Sequence, residues 1–134
     1  MNDTNVDISI WDTPGGEDYD DIRSYYYQNA DVFLICFSLV DPTSFRHVKD
    51  KWVPEVREHF PKIAIVIVGT KEDLRPQDGK SRGQEYVKTE DARAYAEKIK
   101  GNYIECSAQT GNAVNDVFRE ATKASQDTSR CTIL

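Results

Sequence analysis

The chain has 134 residues, 39% hydrophobic and 30% charged, enough for one domain with a single core and too few for two. Its formal net charge of -6, with Lys and Arg scattered, argues against a nucleic-acid or anionic-membrane surface made by the domain itself, because either needs clustered cations. The run Val32 to Phe37 is too short to span a bilayer, so membrane contact would require a covalent anchor or a partner.

In chain order, strand patterns alternate with helix patterns. Val6, Ile8 and Ile10 alternate with Asp7 and Ser9, which predicts a half-buried edge strand ending at Trp11. The turn Asp12-Thr13-Pro14-Gly15-Gly16-Glu17 follows and presents a carboxylate and backbone amides at the strand's carboxyl end, where open α/β sheets bind ligands. Glu17 to Asn29 is polar and aromatic, with Ile22, Tyr25 and Tyr26 at helix spacing, and predicts a short, mobile helix. Val32-Phe33-Leu34-Ile35-Cys36-Phe37 is continuously apolar, the signature of a strand covered on both faces near the centre of a parallel sheet.

Asp41 and Pro42 supply an N-cap and a first-turn proline for a long helix whose inner face is Phe45, Val48, Trp52, Val53, Val56 and Phe60. Pro54 predicts a bend, offset by burial of Trp52 and Val56. Ile63 to Val68 is a second continuous apolar strand, ending at Gly69-Thr70-Lys71-Glu72-Asp73, and Arg75 to Glu85 reads as a surface loop. Thr89 is expected to cap a helix with Ala92, Tyr95, Ala96 and Ile99 inward and Gly101 as its stop. Tyr103 to Cys106 predicts a short edge strand, and Val114, Val117, Phe118 and Ala121 mark a last helix that frays from Ser125. The expected organisation is a domain over residues 1–124 and a flexible tail over 125–134. His47 and His59 are expected to be solvated helix residues without chemistry.

Three strand-end loops carry unusual chemistry: residues 12–16, 70–73 and 107–109. Asp12-x-x-Gly15, Thr70-Lys71-x-Asp73 and Cys106-Ser107-Ala108, in this order, resemble the third, fourth and fifth guanine-nucleotide motifs of the small GTPases. Trp11-Asp12-Thr13, Glu17-Asp18-Tyr19-Asp20, the run from Val32 to Val40 and Gly69-Thr70-Lys71 are similar to the Rho family in particular. The resemblance spans residues 6–134 and implies an incomplete P-loop NTPase (small G protein) fold, mainly a parallel sheet of about four strands with flanking helices. It implies a GTP/GDP-dependent signalling switch using Mg²⁺, with Asp12, Gly15, Thr70, Lys71, Asp73, Ser107 and Ala108 binding nucleotide and Asp12 holding the metal through water.

The base site has a direct chemical logic. A carboxylate at Asp73 can accept two hydrogen bonds from the guanine edge, where adenine offers no matching pair of donors. Lys71 can lay its aliphatic stem along the base, and the Ala108 amide would approach the base carbonyl. Taken without the other motifs, Lys71 and Asp73 read as a solvated surface pair.

Two departures from the family pattern concern phosphate chemistry. No G-x-x-x-x-G-K-[ST] phosphate loop occurs in the sequence; Gly79-Lys80-Ser81 imitates its tail, but Leu74 stands where the first glycine belongs. An amino-terminally truncated product lacking the phosphate loop and first switch is therefore expected, in which the strands at Val6 and Val32 either pair directly or leave a groove between them. Gly16 occupies the position of the water-orienting glutamine, so no catalytic residue is assigned and hydrolysis is expected to be weak.

Cys36, Cys106 and Cys131 include one cysteine that cannot pair, no zinc spacing is present, and no leader precedes Val6, so a reducing cytoplasmic setting is expected. Cys131-Thr132-Ile133-Leu134 fits a C-a-a-X signal whose Leu favours a geranylgeranyl group on Cys131, giving peripheral attachment to the cytosolic face of membranes. Only Lys123 and Arg130 precede it as cations after Thr122, so attachment should be weak or escorted. The resemblance implies Rho-type exchange factors, GTPase activators, dissociation inhibitors and effectors as partners, with Tyr25, Tyr26 and Tyr27 in the region resembling the second switch, together with a prenyltransferase and no nucleic acid. The alternative is a nucleotide-free interaction module or decoy that binds such regulators or effectors without catalysis.

Overall fold

A computed structural model describes residues 7–10, 30–76 and 85–133 of the chain, with side-chain environments to residue 126. The chain divides into two units, residues 1–31 and 32–134. Within the first, residues 7–10 form no strand, and Ile8 and Ile10 are 51% and 68% exposed. The edge strand predicted around them is thus absent from residues 7–10. Alternation says which face a strand would bury, but a strand exists only through its ladder, and unpaired segments are unstable in water. The helix predicted over Glu17 to Asn29 lies outside the described residues.

The second unit contains β1 (Val32–Ser38), α1 (Pro42–His47), a π-helical turn (Val48–Trp52), α2 (Val53–His59), β2 (Ala64–Thr70), a 3-10 turn (Glu72–Leu74), α3 (Thr89–Lys98), β3 (Asn102–Glu105) and α4 (Val114–Ile133). The strands run parallel in the order β1-β2-β3. The α/β class expected from the sequence is therefore present, but the described sheet has three strands rather than about four. Among the described residues β2 is its centre, and β1, expected near the centre, lies at an edge.

Strand register sorts the side chains into two faces. Ile35 pairs with Ile67, Ile67 with Tyr103, and Phe37 with Gly69 on one face; Leu34 with Val66 and Cys36 with Val68 lie on the other. On the first face Phe37 meets Phe45 of α1 with ring centroids 4.8 Å apart and Phe33 meets Phe60, just past α2, at 6.0 Å, while Phe45 in turn meets Tyr95 of α3 at 6.0 Å. The second packs Val66, Val68 and Cys106 against Val117 and Ala124 of α4. Cover on this face thins over β1, where Val32 and Leu34 are half-buried and Cys36 is exposed. A continuous apolar run thus marks a strand without fixing how much of each face is covered.

The helical run after β1 starts as its sequence dictates. Asp41 accepts a hydrogen bond from the Thr43 amide at 3.1 Å and Pro42 occupies the first turn. Ahead of Pro54, where a bend is expected, the helix widens into a π-helical turn over Val48–Trp52. Pro54 follows that turn directly within one continuous helical run, and the wider turn is the backbone's local adjustment to a residue without an N–H. Phe45, Val48, Val53 and Val56 are buried as the periodicity predicts, whereas Trp52 is half-buried. The helix predicted from Thr89 forms with Lys88 at the cap, and the left-handed residue at its end is Lys100 (φ 59°) rather than Gly101. Gly101 is needed for a different reason: a Cβ there would lie 2.9 Å from the Ile65 carbonyl oxygen.

Thr89 caps nothing because its hydroxyl is used elsewhere. It donates to Glu105 at 2.7 Å, as the Tyr103 hydroxyl does at 2.6 Å, while Arg75 donates through both guanidinium nitrogens at 2.9 and 2.6 Å. One carboxylate thereby ties the loop after β2, the start of α3 and the end of β3 together. Burial alone would raise the Glu105 carboxyl, but the hydrogen bonds from Arg75, Tyr103 and Thr89 outweigh it and hold it below the ordinary glutamate value. Burial, and then the bond to Glu105, pushes the Tyr103 phenol upward. The same hydroxyl sits over Gly69, where a Cβ would meet it at 2.8 Å and Leu39 at 3.0 Å.

α4 runs to Ile133, through the stretch expected to fray from Ser125. No glycine or proline interrupts residues 114–133, Ala124 is buried, and the Ser125 hydroxyl donates to the Thr122 carbonyl at 2.8 Å.

Two predictions follow from the Glu105 cluster. Gly69→Ala should lower unfolding free energy by about 1–3 kcal/mol in denaturant titration, and by less in a Tyr103→Phe background that lacks the clashing oxygen; equal losses in both backgrounds would contradict the packing. A depressed carboxyl contributes stability that is present above its unfolded value, near 4.5, and is lost as pH falls through its folded value. Stability should therefore fall more steeply on acidification below pH 4.5 in the native chain than in Glu105→Gln; parallel profiles would exclude the linkage.

Candidate nucleotide-base site

The ends of β2 and β3 lie side by side, so the loops leaving them converge. β2 ends at Thr70, and Lys71 takes a left-handed conformation (φ 61°, ψ 37°) that turns the chain into the 3-10 turn carrying Glu72 and Asp73. β3 ends at Glu105 and is followed by buried Cys106 and Ser107, the latter 1% exposed. A turn with Gly111 (φ 79°) and Ala113 (φ 60°) at positive φ leads into α4.

The two loops are stitched together. The Cys106 amide donates to the Gly69 carbonyl at 2.8 Å, and the Glu72 amide donates to the Cys106 carbonyl at 3.1 Å. The Ser107 hydroxyl donates to Asp73 Oδ1 at 2.7 Å and accepts from the Thr110 amide at 3.2 Å. The Ser107 amide donates to the Asn112 carbonyl at 3.1 Å, and Asn112 Nδ2 donates to Glu72 Oε2 at 2.6 Å. Asp73 is therefore aimed by a buried hydroxyl that is itself fixed. A carboxylate carries about four acceptor positions, so one bond from Ser107 orients the group and leaves capacity for a donor pair on a ligand.

Of the predicted site residues, Lys71, Asp73, Ser107 and Ala108 meet at these two loops, with Lys71 and Ala108 exposed. Thr70 has a different task in this structure: its hydroxyl donates to the Phe37 carbonyl at 2.9 Å and its carbonyl accepts from the Leu39 amide at 3.0 Å, joining β2 to the exit of β1. Cys106 packs in the core beside Val117 and Ala124, and burial, then Glu72, pushes its thiol upward. Asp12, Gly15 and Gly16 lie outside the described residues, as do Tyr25, Tyr26 and Tyr27 and the side chain of Cys131.

Sequence reasoning missed Thr110 and Asn112, which brace the Ser107 and Glu72 sides of the site. Thr110-Gly111-Asn112 signals a turn. Nothing in that signal names a partner 40 residues earlier in the chain.

Comparison with known proteins places this geometry. The family model described as Ras family matches residues 1–127. The chain is 42% identical over 125 residues to the Rho-related GTP-binding protein RhoB of Homo sapiens, and equally to those of Mus musculus and Rattus norvegicus. Each match covers 89% of this chain and 64% of the relative, so the chain spans somewhat less than two-thirds of the proteins it resembles. Family match, parallel α/β architecture and the paired strand-end loops agree: the chain belongs to the Ras family, in its Rho group.

Proposed function

We propose that this chain provides the base-recognition half of a guanine-nucleotide switch of the Rho type. The observation that carries the reading is the 2.7 Å bond from buried Ser107 to Asp73, which aims a carboxylate outward beside exposed Lys71 and Ala108. Asp73 accepts the two donors of the guanine edge, Lys71 covers a face of the base with its aliphatic stem, and the Ala108 amide meets the base carbonyl. The donor and acceptor chemistry of these residues fits a guanine base. The family pattern assigns the phosphate side to Asp12 and Gly15; Asp12 would hold Mg²⁺, and the ion would neutralise phosphate charge.

Gly16 supplies no side chain to orient water, so the switch hydrolyses GTP slowly and depends on regulators to change state. Its partners are exchange factors, GTPase activators, dissociation inhibitors and effectors of the Rho type, in the cytoplasm and on membranes near the cytoskeleton. Among the described residues no helix is long and apolar enough to cross a membrane. Attachment is assigned to a geranylgeranyl group added to Cys131 by a prenyltransferase. The same Gly16 favours the second reading, a nucleotide-free module that occupies Rho regulators or effectors without catalysis.

Titration with a fluorescent GTP analogue distinguishes the two. The switch reading predicts saturable, Mg²⁺-dependent binding with guanine preferred over adenine. Loss of the single aiming hydrogen bond in Ser107→Ala should weaken guanine binding by about three- to tenfold. Phosphate release should be slower than from Gly16→Gln. Absence of binding selects the interaction module, and equal affinities of the native chain and Ser107→Ala would remove Ser107 from the site.

A further inference from the structure

We propose that the groove between α1 and α3 is a docking site for an acidic peptide segment of a partner protein, anchored by an apolar side chain. The groove measures about 520 Å³ and lies on the far side of the sheet from α4. Its walls are two helix stripes of matching spacing. Pro42, Phe45, Arg46 and Lys49 project from one wall, and Asp91, Ala94, Tyr95 and Lys98 from the other, each set at i, i+3, i+4 and i+7.

The floor is apolar. Phe45 and Val87 are 7% and 5% exposed, and the Tyr95 ring meets Phe45 edge-on. Ala94 is exposed on the α3 wall, and its single methyl leaves room where a longer side chain would fill the space. The rim is cationic on both sides, with Arg46 and Lys49 facing Lys98. Within the lining only Asp91 opposes them; burial, and then the Asp50 carboxylate outside the lining, disfavours ionisation of Tyr95. The Lys49 ammonium lies 4.7 Å from the Phe45 ring centroid, which holds a charge at the edge of the apolar floor.

On a chain of net charge -6, a cleft with three cations on opposing walls is a local reversal of sign, and it selects an anionic occupant by steering as well as by contact. An anionic lipid surface fits it less well. The apolar floor is recessed between two helices where a flat headgroup layer does not reach, and the overall negative charge repels such a surface. An extended peptide brings carboxylates to both walls and one apolar side chain to the floor. This surface is independent of the nucleotide loops and of the reading given to them.

The test uses the full chain and a fluorescein-labelled peptide of one phenylalanine flanked on each side by glutamates, followed by fluorescence anisotropy. Saturable binding that weakens with added salt is expected. Combined Arg46→Glu and Lys49→Glu should weaken it by about tenfold or more. Ala94→Trp should abolish it without changing charge, and Lys123→Glu on α4 should leave it unchanged. No saturable binding by the native chain overturns the proposal. So does a loss with Lys123→Glu equal to that of the groove variants, or binding to phosphatidylserine vesicles, but not to the peptide, through Arg46 and Lys49.

Discussion

The bond from the Ser107 hydroxyl to the Asp73 carboxylate is the constraint around which the carboxyl-end loops of this sheet are arranged. It joins residues 34 positions apart, and each end is held by further bonds: Ser107 by Thr110 and Asn112, the Asp73 turn by Cys106 and by the Asn112 contact to Glu72. A short polar side chain at a loop tip would ordinarily spread over several rotamers, at an entropic cost recovered from any ligand that ordered it. Here the folded chain has already met that cost.

Beneath the loops, Glu105 performs the corresponding service for the scaffold. It gathers Arg75, Thr89 and Tyr103, fixing where β3 ends and therefore where Cys106 and Ser107 begin. Because the Tyr103 hydroxyl is held by Glu105, it cannot give way over Gly69, so the carboxyl end of β2 is confined to a backbone without a side chain. Base loop and scaffold cluster are consecutive along β3, and distortion in one is transmitted to the other by the shortest route, the chain itself. The groove between α1 and α3 occupies the opposite side of the sheet from α4, so the molecule carries two surfaces with separate chemistry on one core.

Much of the interior was legible because it depends on local pattern. Continuous apolar runs marked β1 and β2, the Asp41-Pro42 pair marked the start of α1, and the inward stripe of α3 contains Ala92 and Ala96 as predicted. The family resemblance supplied Asp73 and Ser107 as site residues, and the structure brings them together. What was not legible depends on distant partners. Alternation at Ile8 and Ile10 could not say that residues 7–10 form no strand, and the edge position of β1 among the described strands is a property of the sheet rather than of its sequence. Thr89 has the chemistry of a helix cap, but Glu105 competes for its hydroxyl from 16 residues away. Pro54 marked a disturbance of the helix, but the π-helical turn by which the backbone meets it has no sequence signature of its own.

The most direct measurement is the ratio of guanine to adenine nucleotide affinity before and after Asp73→Asn. Asparagine keeps the shape and the contact with Ser107 but puts an N–H donor where the guanine edge also donates. If the carboxylate aimed by Ser107 reads the base, the ratio should collapse by roughly a hundredfold, from the loss of a charged acceptor and the creation of an opposed donor pair. A ratio left unchanged would mean that these two loops, however well braced, do not recognise guanine.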